Sequence, residues 1–324
     1  MKWIICVLAV LLLSYQVEAL PHEGRDQLVG HDKATDPDPN SLPPLTPIPD
    51  PQTNELLPGF PSNTRVPTPF GIAYAPYNGD GTCRSRDGIF EDMEKMNNHG
   101  YVRIYGVDCD QTRHVVDAAR QYGMKVFAGV YDLQDFPDSL DLIINAASGD
   151  WSVIHSVSIG NELVNKGQNP TDVVDAVHTA RAKLRAAGYQ GPVVIVDTFS
   201  ILLRHPELCE ASDFCAANCH AFFDANQVPE NAGNYVLQQA NRISAAAGGK
   251  RTMITESGWP HSGQANGNAV PSTPNQLKAL WSLYDAFWQR QDDLILFSSF
   301  DDMWKTDGPG TYGAEKFWGI LFRG

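Results

Sequence analysis

The sequence predicts a (β/α)8 barrel, an α/β fold that closes into a single catalytic domain. Three observations predict it. From Pro69 onward, short apolar runs with strand character alternate with segments of helical spacing. Eight such strands fit into roughly 260 residues, the usual size of one barrel domain. Carboxylates and aromatic rings recur just after these strands, at the barrel rim that carries active sites. An open doubly wound sheet is the competing architecture. It is disfavoured because no Gly-rich phosphate turn opens the first helix.

The elements follow in order. Phe70 to Tyr77 reads as the first strand, and Gly88 to Asn98 as a helix seated on Ile89, Met93 and Met96. Tyr101 to Tyr105 is the second strand. Thr112 to Tyr122 is helical and ends at Gly123, a C-cap glycine. Lys125 to Tyr131 is the third strand, followed by a helix over Pro137 to Ala147. Val153 to Gly160 is the fourth. Asn169-Pro-Thr-Asp then opens a long helix that runs to Ala187 and stops at Gly188. Val193 to Val196 is the fifth strand, with a short helix over Pro206 to Ala211. Phe214 to Phe223 is the sixth, and Tyr235 to Ala247 a helix halted by Gly248-Gly249. Thr252 to Thr255 is the seventh. Pro274 to Gln289 is helical, and its Trp281 and Trp288 are expected in the core. Leu294 to Phe300 is the eighth strand, and Ala314 to Leu321 a closing helix.

Three segments are expected along the chain. Residues 1–19 read as a secretory signal: Lys2, an apolar run from Trp3 to Leu13, and Val17-Glu18-Ala19 before the cleavage point. Residues 20–65 are rich in Pro and Asp and read as a disordered linker or propeptide. Residues 66–324 hold the barrel. No further apolar run is long enough to span a bilayer, so no membrane contact is expected after signal cleavage. The net charge of −14 opposes binding to phosphates, so nucleic acid is excluded as a partner. Neutral polysaccharide is compatible with it, and a monomer is expected.

Loss of Cys6 with the signal leaves five cysteines. Cys83 and Cys109 each lie just past a strand end, which favours their pairing in a secreted chain. The pairing among Cys209, Cys215 and Cys219 stays open. A zinc site there is the weaker alternative, because paired metal-ligand spacings are missing. No N-x-[ST] sequon stands free of proline, so little N-glycosylation is expected.

Two strands end in a glutamate. Val153 to Gly160 runs into Asn161-Glu162, and Thr252 to Thr255 runs into Glu256-Ser-Gly-Trp259. In a small barrel the fourth and seventh strand ends face one cleft. Glycoside hydrolysis needs such a pair, one carboxyl to protonate the leaving oxygen and one carboxylate to meet the anomeric carbon. Glu162 is assigned as acid/base and Glu256 as nucleophile, with Asn161 reaching a sugar hydroxyl. Tyr105, Phe222, Phe223, Trp259 and Trp304 are the candidate sugar-stacking rings. For each of these rings a packing role competes with stacking. His220 divides in the same way between a structural and a ligand-contacting residue.

Val157-Ser-Ile-Gly-Asn-Glu162 together with Thr255-Glu-Ser-Gly-Trp-Pro260 resembles glycoside hydrolase family 17, the β-1,3-glucan-active enzymes, and within it the fungal cell-wall members. Val102-Arg-Ile-Tyr-Gly106, His220-Ala-Phe-Phe-Asp224, Phe300-Asp-Asp-Met-Trp-Lys305, Glu315 and Trp318-Gly-Ile-Leu-Phe322 match in order. The resemblance covers about residue 69 to the C-terminus. It implies a retaining mechanism without metal or cofactor, Tyr105 near the nucleophile, and Lys305 and Glu315 supporting the site. Asp302 departs from the family's glutamate, which weakens the transfer of that residue's role. The short connection after the sixth strand resembles fungal forms, which lack the added subdomain of plant members. Hydrolysis of β-1,3-glucosidic bonds in cell-wall glucan is the expected activity. Glucanosyl transfer through the same covalent intermediate is the alternative, and a non-catalytic glucan-binding protein the lesser one. Endo or exo action and chain-length preference are left open.

Overall fold

The computed structural model describes residues 68–323. The expected signal peptide, the residue 20–65 segment and the first residues assigned to the domain lie outside them. Eight parallel strands close in sequence order: β1 (Thr68–Ala73), β2 (His99–Arg103), β3 (Lys125–Val130), β4 (Ile154–Asn161), β5 (Val193–Thr198), β6 (Cys215–Asn218), β7 (Thr252–Ser257) and β8 (Leu294–Leu296). Eight helices lie between them: α1 (Arg86–Met96), α2 (Gln111–Tyr122), α3 (Leu140–Ala147), α4 (Pro170–Ala186), α5 (Phe199–Arg204), α6 (Pro206–Ala211), α7 (Ala232–Ala246) and α8 (Thr273–Phe287).

Alternation along each strand splits the core in two. Ala73, Tyr101, Phe127, Val194, Val196, Phe214, Ala216, Met253 and Ile295 fill the barrel interior. Their neighbours, such as Ile72, Val102, Val126, Val157, Ile195 and Ile254, face the helix layer. The predicted caps hold. Gly123 closes α2 at φ +71°, and the Asn169 side chain accepts from Thr171 N at the start of α4, with Pro170 in its first turn.

Four expectations are corrected. The chain from Ala314 to Leu321 forms turns instead of a closing helix. Several strands stop short of their predicted ends. The sixth ends at Asn218, after which Ala221–Phe223 makes a 3-10 turn. Helix α5 was absent from the sequence reading; Thr198 caps it by accepting from Ile201 N. Trp281 and Trp288 are 39% and 51% exposed. The buried stripe of α8 runs through Gln276, Ala279, Leu280, Leu283 and Phe287, so the tryptophans flank it.

The Cys83–Cys109 bridge is present as expected. Cys209 pairs with Cys215, and Cys219 is a buried free thiol. Among the described residues no cluster of His, Cys, Asp and Glu could hold a metal. No helix among them is long and apolar enough to cross a membrane.

Candidate active site

The end of β4 departs from regular strand geometry. Its register with β5 slips between Ser158 and Asn161. Gly160 sits at φ +80°, and a Cβ there would lie 2.4 Å from Leu163 Cδ1. Glu162 follows at φ +57°, a left-handed conformation that costs a non-glycine residue about 1–3 kcal/mol. Backbone bonds hold it: Asn161 N donates to Tyr131 O (3.0 Å) and Glu162 N to Val196 O (2.9 Å). Strand β7 delivers Glu256. Just beyond it, a Cβ at Gly258 would lie 1.9 Å from Phe297 O, so only glycine lets this segment pass the end of β8.

Arg103, at the end of β2, joins the two glutamate strands. Its guanidinium is 1% exposed. Nη1 donates to Glu256 Oε1 (2.9 Å), Thr255 O (2.7 Å) and Asn218 Oδ1 (3.2 Å). Nη2 donates to Asn161 Oδ1 (2.9 Å). Asn218 completes the link, because its Nδ2 donates to Glu162 Oε1 at 2.9 Å. His220 Nε2 lies 3.3 Å from Glu256 Oε2.

These partners drive the two carboxyls apart. Burial alone would raise Glu256, but the Arg103 charge, with His220 and Tyr105, outweighs it and holds the group down at about 2. Glu162 has no arginine. Burial raises it, and the negative charge of Glu256 raises it further, against the opposing Asn218 hydrogen bond and the Lys166 charge. One carboxyl is thus kept ionised and the other is biased toward protonation, the division of labour a glycosidic acid/nucleophile pair requires.

The remaining sequence candidates divide. Tyr105 stacks under Arg103, its ring centre 4.4 Å from the guanidinium carbon. Its buried hydroxyl faces Glu256 yet completes no hydrogen bond of ordinary geometry. Lys305 pairs with Asp302 at 3.0 Å and lies over the Phe297 ring. Glu315 is raised by burial against the opposing Lys305 charge. Phe223 is 45% exposed, and Trp304 is half-buried against Tyr77 with its indole N–H on Asp302 Oδ1. Those two rings are accessible to a sugar. Phe222 and Trp259 are not, which corrects their assignment as sugar platforms. Both are fully enclosed and pack edge to face at 5.5 Å, and the Trp259 indole donates to Val270 O. Asp302 is 5% exposed, pairs with Lys305 and accepts from the Trp304 indole N–H.

Several residues escaped the sequence reading. Arg103 carries no role assigned from sequence, although a cation inside an apolar strand is a usable signal. Asn218 gave none. Trp318, whose ring closes an aromatic cluster with His220, Phe223 and Phe297, was read as part of a helix that does not form.

Comparison with known proteins agrees with this arrangement. Residues 71–319 match the BtgE/BtgC glycoside hydrolase domain. The chain is 44% identical to the cell surface mannoprotein MP65 of Candida albicans, over 77% of this chain and 66% of that protein. It is likewise 44% identical to the probable family 17 glucosidase SCW10 of Saccharomyces cerevisiae, over 78% of this chain and 64% of that one. It therefore spans just under two thirds of these relatives' length. The fold matches the crystal structure of a glycoside hydrolase family 17 β-1,3-glucanosyltransferase from Rhizomucor miehei. The TM-score is 0.67 at 24% identity, covering 78% of this chain and 93% of that one. With nearly the whole barrel matched, the chain belongs to the BtgE/BtgC glycoside hydrolase domain family, and its resemblance to glycoside hydrolase family 17 holds.

Proposed function

We propose that the protein is a retaining enzyme acting on β-1,3-glucosidic bonds of cell-wall glucan, with Glu256 as nucleophile and Glu162 as acid/base. One observation supports the reading: a single hydrogen-bond network, Arg103 to Glu256 and to Asn218, and Asn218 to Glu162, joins the two carboxyls, and their surroundings push them in opposite directions. Glu162 gives its proton to the glycosidic oxygen as the bond to the anomeric carbon breaks, while Glu256 forms the bond to that carbon. Glu162, now ionised, then takes a proton from the acceptor that displaces Glu256. Arg103 keeps Glu256 an anion until it bonds the anomeric carbon, and again stabilises the carboxylate when the acceptor displaces it. Asn161 stands within the same network, its Oδ1 accepting from Arg103 and Asn218, and its role in this reading is to bond the sugar hydroxyl beside the reacting carbon. Phe223 and Trp304 offer the accessible rings for neighbouring glucose units.

The glucan assignment draws on the relatives' names, a family 17 glucosidase and a cell surface mannoprotein. With it go residues 1–19 as a secretory signal, residues 20–65 as a spacer ahead of the domain, a cell-wall or extracellular location, and a monomer. Azide tests the pair. With Glu162→Ala, added azide should restore turnover on an activated glucan glycoside and give the β-glycosyl azide. Absence of rescue refutes the acid/base role. Incubation of the wild type with laminari-oligosaccharides then distinguishes the acceptors: products longer than the substrate assign transfer, and shorter products alone assign hydrolysis.

A further inference from the structure

Behind Glu162, on the side of β5 that faces the helix layer, lies a carboxylate with no exposed surface. Asp197 is fully enclosed, and it accepts hydrogen bonds from three backbone N–H groups. Oδ2 accepts from Val164 N (2.9 Å) and Asn165 N (3.4 Å), and Oδ1 from Thr198 N (2.8 Å). Val164 and Asn165 belong to the turn that leaves Glu162. Together with Val196 O, which accepts from Glu162 N, two consecutive residues of β5 grip that turn from behind. They do so where the regular β4–β5 register has already slipped.

A carboxylate suits this task. Two oxygens serve three donors, whereas an asparagine would offer one oxygen and turn an N–H₂ toward another N–H. The placement carries a cost: burial pushes Asp197 up to about 6, and the nearby Glu162 charge adds to the rise despite the three backbone bonds. A group this expensive, spent on the loop that carries a left-handed glutamate, has a functional place.

We propose that Asp197 is a positioning residue for the acid/base step, pinning the turn after β4 so that Glu162 holds its left-handed conformation with its carboxyl at the leaving oxygen. This rests on the reading of Glu162 as acid/base. Asp197 touches no substrate, so its effect passes through the geometry of proton transfer.

The test compares two leaving groups. Departure of a glucose residue needs a proton, whereas 2,4-dinitrophenolate leaves without one. In Asp197→Asn, kcat/KM on laminaripentaose should fall about 100-fold, the scale of an ångström's misplacement. On a 2,4-dinitrophenyl β-laminarioligoside it should fall less than about threefold, because acid catalysis is not drawn upon. Glu162→Ala is run beside it. If Glu162→Ala shows no such split, the acid/base reading itself fails. If Glu162→Ala splits but Asp197→Asn lowers both substrates alike, Asp197 is structural only and the proposal is overturned. Should Asp197→Asn not fold by circular dichroism, Gly160→Ala and Asp197→Glu take its place. Gly160→Ala strains the same turn by forcing a Cβ against Leu163, and Asp197→Glu keeps both oxygens. The same split in Asp197→Glu supports the proposal, with Gly160→Ala as the control that strain in this turn alone produces it, and equal losses in Asp197→Glu overturn it.

Discussion

Replacing Arg103 by Met removes the charge that holds Glu256 ionised while keeping a side chain of similar length. The displacement of Glu256 from 4.5 to about 2 corresponds to about 3 kcal/mol of preference for the carboxylate, at 1.36 kcal/mol per pH unit. Burial acts in the other direction and remains in the variant. The Glu256 carboxyl should therefore rise by at least about two pH units, back to its ordinary value or beyond. In the proposed mechanism Glu256 must be an anion, so the acid limb of kcat/KM moves with it, from near pH 2 in the wild type to 4.5 or above.

The same substitution has a stability signature with a definite sign. A carboxyl whose folded pKa is depressed stabilises the fold above its unfolded value and loses that contribution as pH falls through the folded one. The wild type thus keeps the contribution above 4.5 and sheds it between 4.5 and about 2. Arg103→Met lacks it throughout, so the stability gap between the two proteins should narrow across that window. Reducing-sugar release from laminarin between pH 2 and 8 gives the limb, and urea denaturation at the same pH values gives the gap. An acid limb that stays in place in folded Arg103→Met, however much activity falls, refutes the argument that this arginine sets the charge of Glu256.

Three further outcomes follow from other contacts. Asn218→Ala removes the hydrogen bond that favours the Glu162 carboxylate, so Glu162 rises further and the alkaline limb of kcat/KM moves up; a downward move contradicts the assignment. Arg323→Ala strips one of two arginines from Asp92, a fully buried carboxylate that also accepts from the Tyr74 hydroxyl, and should destabilise the barrel by about 1–3 kcal/mol in a urea titration. Opening the Cys83–Cys109 bridge with the double serine variant releases a loop of sequence separation 26 and should cost about 3.5 kcal/mol by chain entropy, read as a lowered urea midpoint with a steeper slope, because the unbridged denatured chain exposes more surface.

The barrel was legible because its signals are local. Caps such as Asn169 and Gly123, and apolar runs of four to eight residues, mark elements without reference to distant chain. The two glutamates were legible for the same reason, since each stands at the end of its own strand. What was lost depends on contacts between strands far apart in sequence. Arg103 reaches Glu256 across 153 positions, and Asn218 reaches Glu162 across 56. A periodic pattern cannot report such pairings. The aromatic assignments failed for a related reason. Phe222 and Trp259 carry the ring chemistry of sugar platforms, but their neighbours, not their type, decide whether a ring meets solvent, and here each covers the other. Phe223, one residue from Phe222, is exposed because a 3-10 turn after β6 replaces the predicted strand and sends successive rings to different sides. The left-handed Glu162 gives the clearest case. Nothing in its own identity demands that conformation, which Gly160 permits and which β5 enforces from behind. The acid's geometry is therefore set on two strands at once, and its sequence signature is spread over Gly160, Val196 and Asp197 instead of lying in the Asn-Glu pair that draws the eye.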